Sequence, residues 1–226
     1  MCNVSDPPPP AVVLDYADVL VDWRPERVVG LFYPPGVTAM FFDAADPHGY
    51  DHYRRRAAEG WDDERILDAY TAEHGPAVGW IMHLLLEHRA LGLYDMPDGM
   101  PSLLCELAHS GIDMYGFANC SRRAVALMHA KYPWLDLLGD AIGYAPLDGV
   151  EWPRALVPSA DALARHGLDP ATTLYVTHDD DAARTAARQG LRTIRFDTAD
   201  GLRTVASGWP FAASAASAPA PFRCTR

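Results

Sequence analysis

The residue with the clearest chemical potential is Asp15, because an apolar run over residues 11–14 stops abruptly at this carboxylate. A second short apolar run, Val19–Val21, follows almost at once. This pattern predicts a buried strand that carries one carboxylate to its C-terminal edge, where open α/β sheets hold their sites. A carboxylate in that position can act as a nucleophile or as a general acid or base.

A second candidate group follows a β-branched stretch at residues 173–177. His178 comes directly after this stretch, and an imidazole titrates near neutral pH. Three carboxylates, Asp179 to Asp181, follow His178 and precede a predicted helix over residues 180–189. The simplest interpretation is that they cap this helix. A displaced metal site shared with Asp15 is the alternative.

The elements that must position these groups alternate between strand and helix. Strands are predicted at 11–15, 114–118, 173–177 and 191–196, with a weak one at 140–144, and helices at 101–110, from Ser121 to about 130, and at 180–189. This alternation is typical of a doubly wound parallel sheet. Residues 24–96 do not alternate, and they contain four predicted helices, at 25–32, 50–59, 62–73 and 76–91.

Composition narrows the function classes. The 226 residues include 19 Lys and Arg against 30 Asp and Glu, a net charge of −11, so binding to a nucleic-acid backbone has no support. The four cysteines show no CxxC spacing, and no apolar run approaches the roughly 20 residues of a membrane span. We therefore expect a cytoplasmic protein with reduced thiols and a small-molecule substrate or ligand. The oligomeric state stays open.

The stretch around Asp15 resembles the first motif of the haloacid dehalogenase (HAD) superfamily, hydrophobic-Asp-x-x-Gly-Val-Leu, and Val19-Leu20 and Asp22-Trp23 extend the match. A second match covers Tyr115–Ser121. The resemblance implies an α/β fold with a Rossmann-like parallel-sheet core at 1–23 and 97–206. It also implies a helical cap at 24–96 inserted after the first strand. Residues 207–226, rich in Ala, Ser and Pro, are expected to be a disordered tail.

The same resemblance indicates that most of the family's catalytic groups are replaced. The family's acid/base Asp, its hydroxyl, its lysine and its two metal-binding acids correspond here to Ala17, Ala118, Trp152, Thr177 and His178. The only lysine of the chain, Lys131, lies at a predicted helix end and cannot supply the missing charge. Asp15 corresponds to the family's nucleophile, and Asn119 is retained.

These replacements favour a repurposed site over the family's standard reactions. Phosphoryl transfer depends on positioning and electrostatic stabilisation, so a site without lysine, hydroxyl or metal acids predicts a poor phosphatase. We expect Asp15 and His178 to catalyse acid/base chemistry on a small organic substrate without a metal or cofactor. Lyase, isomerase, dehydratase and hydrolase reactions all stay open. The expected substrate contacts are Tyr16, Ala17, Ala118, Asn119, Trp152 and Thr177.

Two other functions compete with this hypothesis. A pseudoenzyme would only bind a ligand or partner, with Trp152 filling the former phosphate site. A phosphatase would rebuild its Mg²⁺ site from Asp179–Asp181. The run Arg54–Arg56 is expected to be a solvated surface, from which one guanidinium could reach the cleft as an anion clamp.

Overall fold

The structure is a computed structural model that describes residues 11–143 and 157–207. These residues form a parallel sheet in the order β2-β1-β3-β4. Its strands are β1 (Ala11–Asp15), β2 (Asp113–Phe117), β3 (Thr173–Thr177) and β4 (Arg192–Arg195). Asp15 pairs with Phe117 and Leu14 with Val176, so the C-terminal ends of the three neighbouring strands meet at one edge. The predicted Rossmann-like α/β fold is confirmed.

The central strand β1 is apolar throughout because both of its faces are covered, as is usual in parallel sheets. Val12 and Leu14 pack into one hydrophobic cluster, and Val13 packs into another on the opposite face. This alternation leaves Asp15 on the face of Val13, at the end of the strand.

Helices surround the sheet and fill the segment between β1 and β2. They are α1 (Pro25–Gly30), α2 (Pro35–Phe41), α3 (Tyr50–Ala58), α4 (Asp63–His74), α5 (Pro76–Glu87), α6 (Met100–His109), α7 (Arg122–Lys131), α8 (Ala160–Arg165), α9 (Asp180–Arg188) and α10 (Ala199–Ser207), with 3₁₀ turns at Arg89–Gly92 and Pro133–Leu137. No helix in the described ranges is long and apolar enough to cross a membrane.

The structure corrects several details of the sequence prediction. Helices α2, α8 and α10 were not predicted, and the weak strand at 140–144 is reduced to a single bridge between Ile142 and Phe117, its last residue lying outside the described part. A seven-residue helix such as α2, which begins Pro-Gly, has too few turns to show an apolar period. The predicted disordered tail lies, apart from Ser207, outside the described residues.

The helices α1–α5, called the inserted helices below, share their own apolar cluster. Val28, Phe41, Tyr70 and Met82 are buried in it. The chain enters and leaves this segment along paired connections: Arg24 N–H donates to the Gly92 carbonyl, and Tyr94 N–H donates to the Asp22 carbonyl. That residues 24–96 form a separate cap subdomain stays a prediction.

A tight contact between Gly116 and Tyr16 predicts that even a small substitution at Gly116 lowers the stability of the protein. A Cβ added at Gly116 would lie 2.3 Å from a ring carbon of the fully buried Tyr16. We expect Gly116→Ala to lower the free energy of unfolding by about 1–3 kcal/mol, measured by urea denaturation. Gly30→Ala is the matched control, because a Cβ there meets nothing within 4 Å. Equal stability of the two variants would contradict this contact.

Candidate active site

A cavity of about 360 Å³ opens at the C-terminal edge of the sheet, between the strand ends and the inserted helices. We call it the Asp15 cavity. The sheet side supplies Asp15, Ala17, Asp18, Asn119, Cys120, His178, Asp179 and Ala182, and the other side supplies Trp23, Pro25, Glu26, Tyr50, Asp51, Arg54 and Arg55. The fold therefore brings together the two predicted catalytic residues, Asp15 and His178.

Asp15 is a buried carboxyl held by two hydroxyl groups. Its side chain is 4% exposed, and the Tyr175 hydroxyl donates a hydrogen bond to its Oδ1 at 2.7 Å. Burial raises the pKa of Asp15 to about 7. Hydrogen bonds from Thr177 and Tyr175 act in the opposite direction, and the charges of Asp18 and Asp179 raise this pKa further. Asp15 thus changes its protonation state near neutral pH.

The hydrogen bond from Tyr175 predicts a shift in this titration. Tyr175→Phe removes a donor that favours the ionised form of Asp15, so the pKa of Asp15 should rise above 7, by about 1–2 units. The check is a pH titration of the Asp15 side-chain carboxyl by ¹³C NMR. Tyr115→Phe, on the neighbouring strand β2, serves as the matched control and should leave the Asp15 titration unchanged. An unchanged pKa in Tyr175→Phe would contradict the role of this hydroxyl.

The loop after β1 is clamped by Asn119, which explains the predicted importance of this residue. Its Oδ1 accepts from the Ala17 N–H at 3.0 Å, and its Nδ2 donates to the Ala17 carbonyl at 3.3 Å. Asn119 therefore holds the backbone next to Asp15, and Ala17 lines the cavity with a methyl group.

Asp18 is a functional candidate that sequence reasoning missed. It has a φ of +71°, in the left-handed region that Asp tolerates better than most residues, and it lines the Asp15 cavity. Desolvation raises the pKa of Asp18, and the charges of Arg54 and His178 lower it. The relevant signal was a carboxylate three residues after Asp15. The resemblance drew attention to position 17 instead, because only backbone geometry shows that residue 18 turns into the cavity.

Arg54 and Arg55 of α3 also line the cavity. The Arg54–Arg56 run is therefore only partly the solvated surface that was expected. Arg54 Nε lies 3.3 Å from Asp51 Oδ1. Burial lowers the pKa of Arg54, but Tyr50, Asp51 and Asp18 together raise it above its ordinary value. Arg54 is therefore a guanidinium already balanced by carboxylates of this site, which weakens it as an anion clamp.

Three predicted substrate contacts lie elsewhere. Tyr16 points into the core below the sheet edge, with its hydroxyl 2.8 Å from Nε2 of His129. Ala118 is buried, and its N–H donates to the Ile142 carbonyl. Thr177 is buried and acts through its bond to Asp15. Trp152 lies outside the described residues.

Cys120 lines the cavity but is unsuited to nucleophilic chemistry. Burial raises the pKa of its thiol to about 12, so the reactive thiolate is scarce at neutral pH.

The donor set does not suit the Mg²⁺ that the family resemblance implies. Within residues 11–143 and 157–207, no three His, Cys, Asp or Glu side chains converge as metal ligands. Asp179 Oδ1 accepts from the N–H groups of Asp181 and Ala182 and so caps α9, while Asp180 pairs with Arg195 and Asp181 with Arg184. The three carboxylates therefore have structural partners, and Asp179 caps the helix as the capping interpretation predicts.

Solved structures place this geometry in a known fold, although no family model and no curated protein matches the sequence. A HAD family enzyme from Bacteroides thetaiotaomicron aligns with a TM-score of 0.63 and 15% identity, over 85% of this chain and 95% of that chain. L-2-haloacid dehalogenase from Xanthobacter autotrophicus, with chloropropionic acid covalently bound, aligns with a TM-score of 0.53 and 18% identity, over 88% and 82%. A predicted HAD-like hydrolase from Porphyromonas gingivalis aligns with a TM-score of 0.56 and 17% identity, over 83% of this chain and 91% of that chain. At these identities the likeness establishes the fold, and the chain has the fold of the haloacid dehalogenase superfamily that its motifs predicted.

Proposed function

We propose that this protein is a metal-independent enzyme in which Asp15 transfers a proton to or from a small, uncharged organic substrate. The observation that carries the proposal is the buried Asp15 carboxyl, which opens onto a cavity and has a pKa of about 7. A general acid or base works best when its pKa lies near the operating pH. An ordinary exposed Asp, with a pKa near 3.9, would be a weak base and a scarce acid at neutral pH.

The charges around Asp15 argue against an anionic substrate. The cavity wall carries four other carboxyl groups, on Asp18, Glu26, Asp51 and Asp179, against the two guanidinium groups of Arg54 and Arg55. At about 4 Å and an effective dielectric constant near 20, each pair of like charges costs about 4 kcal/mol. A phosphate dianion would therefore meet net repulsion, whereas a neutral hydroxyl or carbonyl group can accept or donate hydrogen bonds here.

The roles of the other groups follow from their positions. Tyr175 and Thr177 stabilise the ionised form of Asp15, so the carboxyl can accept and return a proton without leaving its pocket. His178 and Asp18 line the same cavity and can handle a second proton at another substrate atom. Asn119 keeps the loop after β1 in place. Two proton-transfer groups on one substrate suit a lyase, an isomerase or a dehydratase, and hydrolysis of a neutral bond is also compatible.

The experiment is an incubation of the protein with pooled uncharged metabolites in the presence of EDTA, followed by mass spectrometry. Wild type should convert a substrate that Asp15→Asn leaves intact. The rate should depend on pH with one limb centred near 7, the pKa of Asp15. Identical profiles for wild type and Asp15→Asn would favour the pseudoenzyme. Conversion that occurs only in a parallel incubation without EDTA would favour a metal-dependent reaction.

A further inference from the structure

A second, smaller cavity lies beside the Asp15 cavity, between α3, α4, α5 and the first turn of α7. It measures about 60 Å³, and Trp23, Tyr50, Arg54 and Cys120 border both spaces. Much of its wall is apolar, formed by Ala57, Ile66, Met82, Leu85, Leu86 and Ala124. We call this space the apolar pouch.

Most of the pouch wall is apolar, and its main polar group is the buried Arg89, whose Nη2 forms an ion pair with Asp63 but no hydrogen bond with any described residue. The Arg89 guanidinium lies 2.6 Å from Asp63 Oδ2, and its Nη1 lies 3.3 Å from Ser121 Oγ. At the mouth, the Trp23 indole forms a hydrogen bond with the Tyr50 hydroxyl. An ordered water needs two to four polar partners, and an apolar space that lacks them stays dry. A single donor at Arg89 is fewer than an ordered water needs, so the apolar lining favours an apolar occupant.

The size of the pouch limits that occupant. An apolar cavity of about 150 Å³ is enough to hold benzene, so a space of about 60 Å³ suits a smaller group. The two cavities share four lining residues, so one ligand can lie across both, with a short aliphatic chain in the pouch and a polar head in the Asp15 cavity. The excess of carboxylates in that cavity disfavours an anionic head, for the reason given above.

We propose that the substrate has two parts: an uncharged polar head that binds at Asp15, and a short aliphatic arm that occupies the apolar pouch. The position of the head rests on the proposed function. The arm would set chain-length specificity, with Ala57 and Leu86 as determining residues. Burial of each further methylene group should raise the affinity about fourfold until the pouch is full.

The probes for this proposal are the straight-chain primary amides from acetamide to heptanamide. Their binding is followed through the ¹³C-labelled methyl group of Met82, which lies in the pouch wall. In wild type, affinity should rise about fourfold per methylene and level off after about three or four carbons. Affinity independent of chain length, or a Met82 signal that does not move, would overturn the proposal.

Two substitutions act on the pouch in opposite directions. Ala57→Leu in α3 fills it, so the dependence on chain length should disappear while acetamide binding stays. Ala72→Leu, on the exposed face of α4, is the matched control and should behave like wild type. Leu86→Ala enlarges the pouch and should move the plateau to amides that are longer by about one to three carbons. If Ala57→Leu does not fold, the result for Leu86→Ala decides, and an unmoved plateau overturns the proposal.

The same titrations in Asp15→Asn separate this proposal from the proposed function. The chain-length dependence should persist in that variant, because the pouch does not include Asp15. If Asp15→Asn loses catalysis but keeps the chain-length dependence, the loss reflects the role of Asp15 in the proposed function and leaves the aliphatic arm supported. A flat dependence in both proteins would overturn only the aliphatic arm.

Discussion

Asp15→Asn is expected to be more stable than wild type by about 2–4 kcal/mol at about pH 8. The pKa of Asp15 rises from 3.8 to about 7 on folding. Between these values the folded state keeps a proton that the unfolded state has released, so the free energy of unfolding falls as pH rises through this window. The full difference amounts to about 4 kcal/mol at roughly 1.4 kcal/mol per pKa unit. An amide cannot ionise and so avoids this cost.

The measurement is urea denaturation of both proteins from about pH 4 to about pH 8. The advantage of Asp15→Asn should grow as pH rises and become constant above about pH 8, because Asp15 is then ionised in both states. Asp68→Asn, at an exposed position of α4, is the matched control and should follow wild type throughout. An Asp15→Asn variant less stable than wild type at about pH 8 would contradict the high pKa of Asp15. Residues kept for function commonly cost stability in this way.

Wild-type protein is expected to hydrolyse p-nitrophenyl phosphate no faster than Asp15→Asn, with or without millimolar Mg²⁺. Removing a single group that stabilises transition-state charge costs about 10²–10³ in rate. Here the described residues offer no converging metal ligands, and the cavity wall holds more carboxylates than guanidinium groups. These deficits together should put turnover below detection.

The assay is p-nitrophenol release at neutral pH, with EDTA in a parallel reaction. Asp15→Asn defines the background, since it lacks the only carboxylate that the family resemblance identifies as a nucleophile. Robust turnover that needs Mg²⁺ and disappears in Asp15→Asn would contradict the proposal of a metal-independent enzyme. It would also place the metal on the carboxylates of residues 179–181.

The sequence was sufficient to predict what depends on strand order and local pattern. The apolar run that ends at Asp15 predicted a buried strand, and parallel pairing then requires its end to lie beside those of β2 and β3. The capping role of Asp179 followed from its place before a helix. The cavity that joins Asp15 with His178 is a consequence of the same topology.

Other features depended on side-chain direction and on tertiary contacts that no local pattern encodes. Tyr16 points away from the cavity because successive residues of an extended chain face opposite sides, and Asp15 already faces the site. Tyr175 lies two residues inside β3, yet its long side chain reaches Asp15. Arg54 reaches the cavity only because α3 packs over the sheet edge. Such contacts between distant parts of the chain become visible only in the folded molecule.

The most direct test of the proposed chemistry is a ¹³C NMR titration of the Asp15 side-chain carboxyl, with and without Mg²⁺. Asp15→Asn identifies the signal by its absence. A midpoint near 7 that Mg²⁺ does not move is the expected result, because burial sets this pKa. A midpoint near 4, or one that drops when Mg²⁺ is added, would mean that Asp15 is an ordinary carboxylate or a metal ligand, and that the site is not a metal-free acid/base centre.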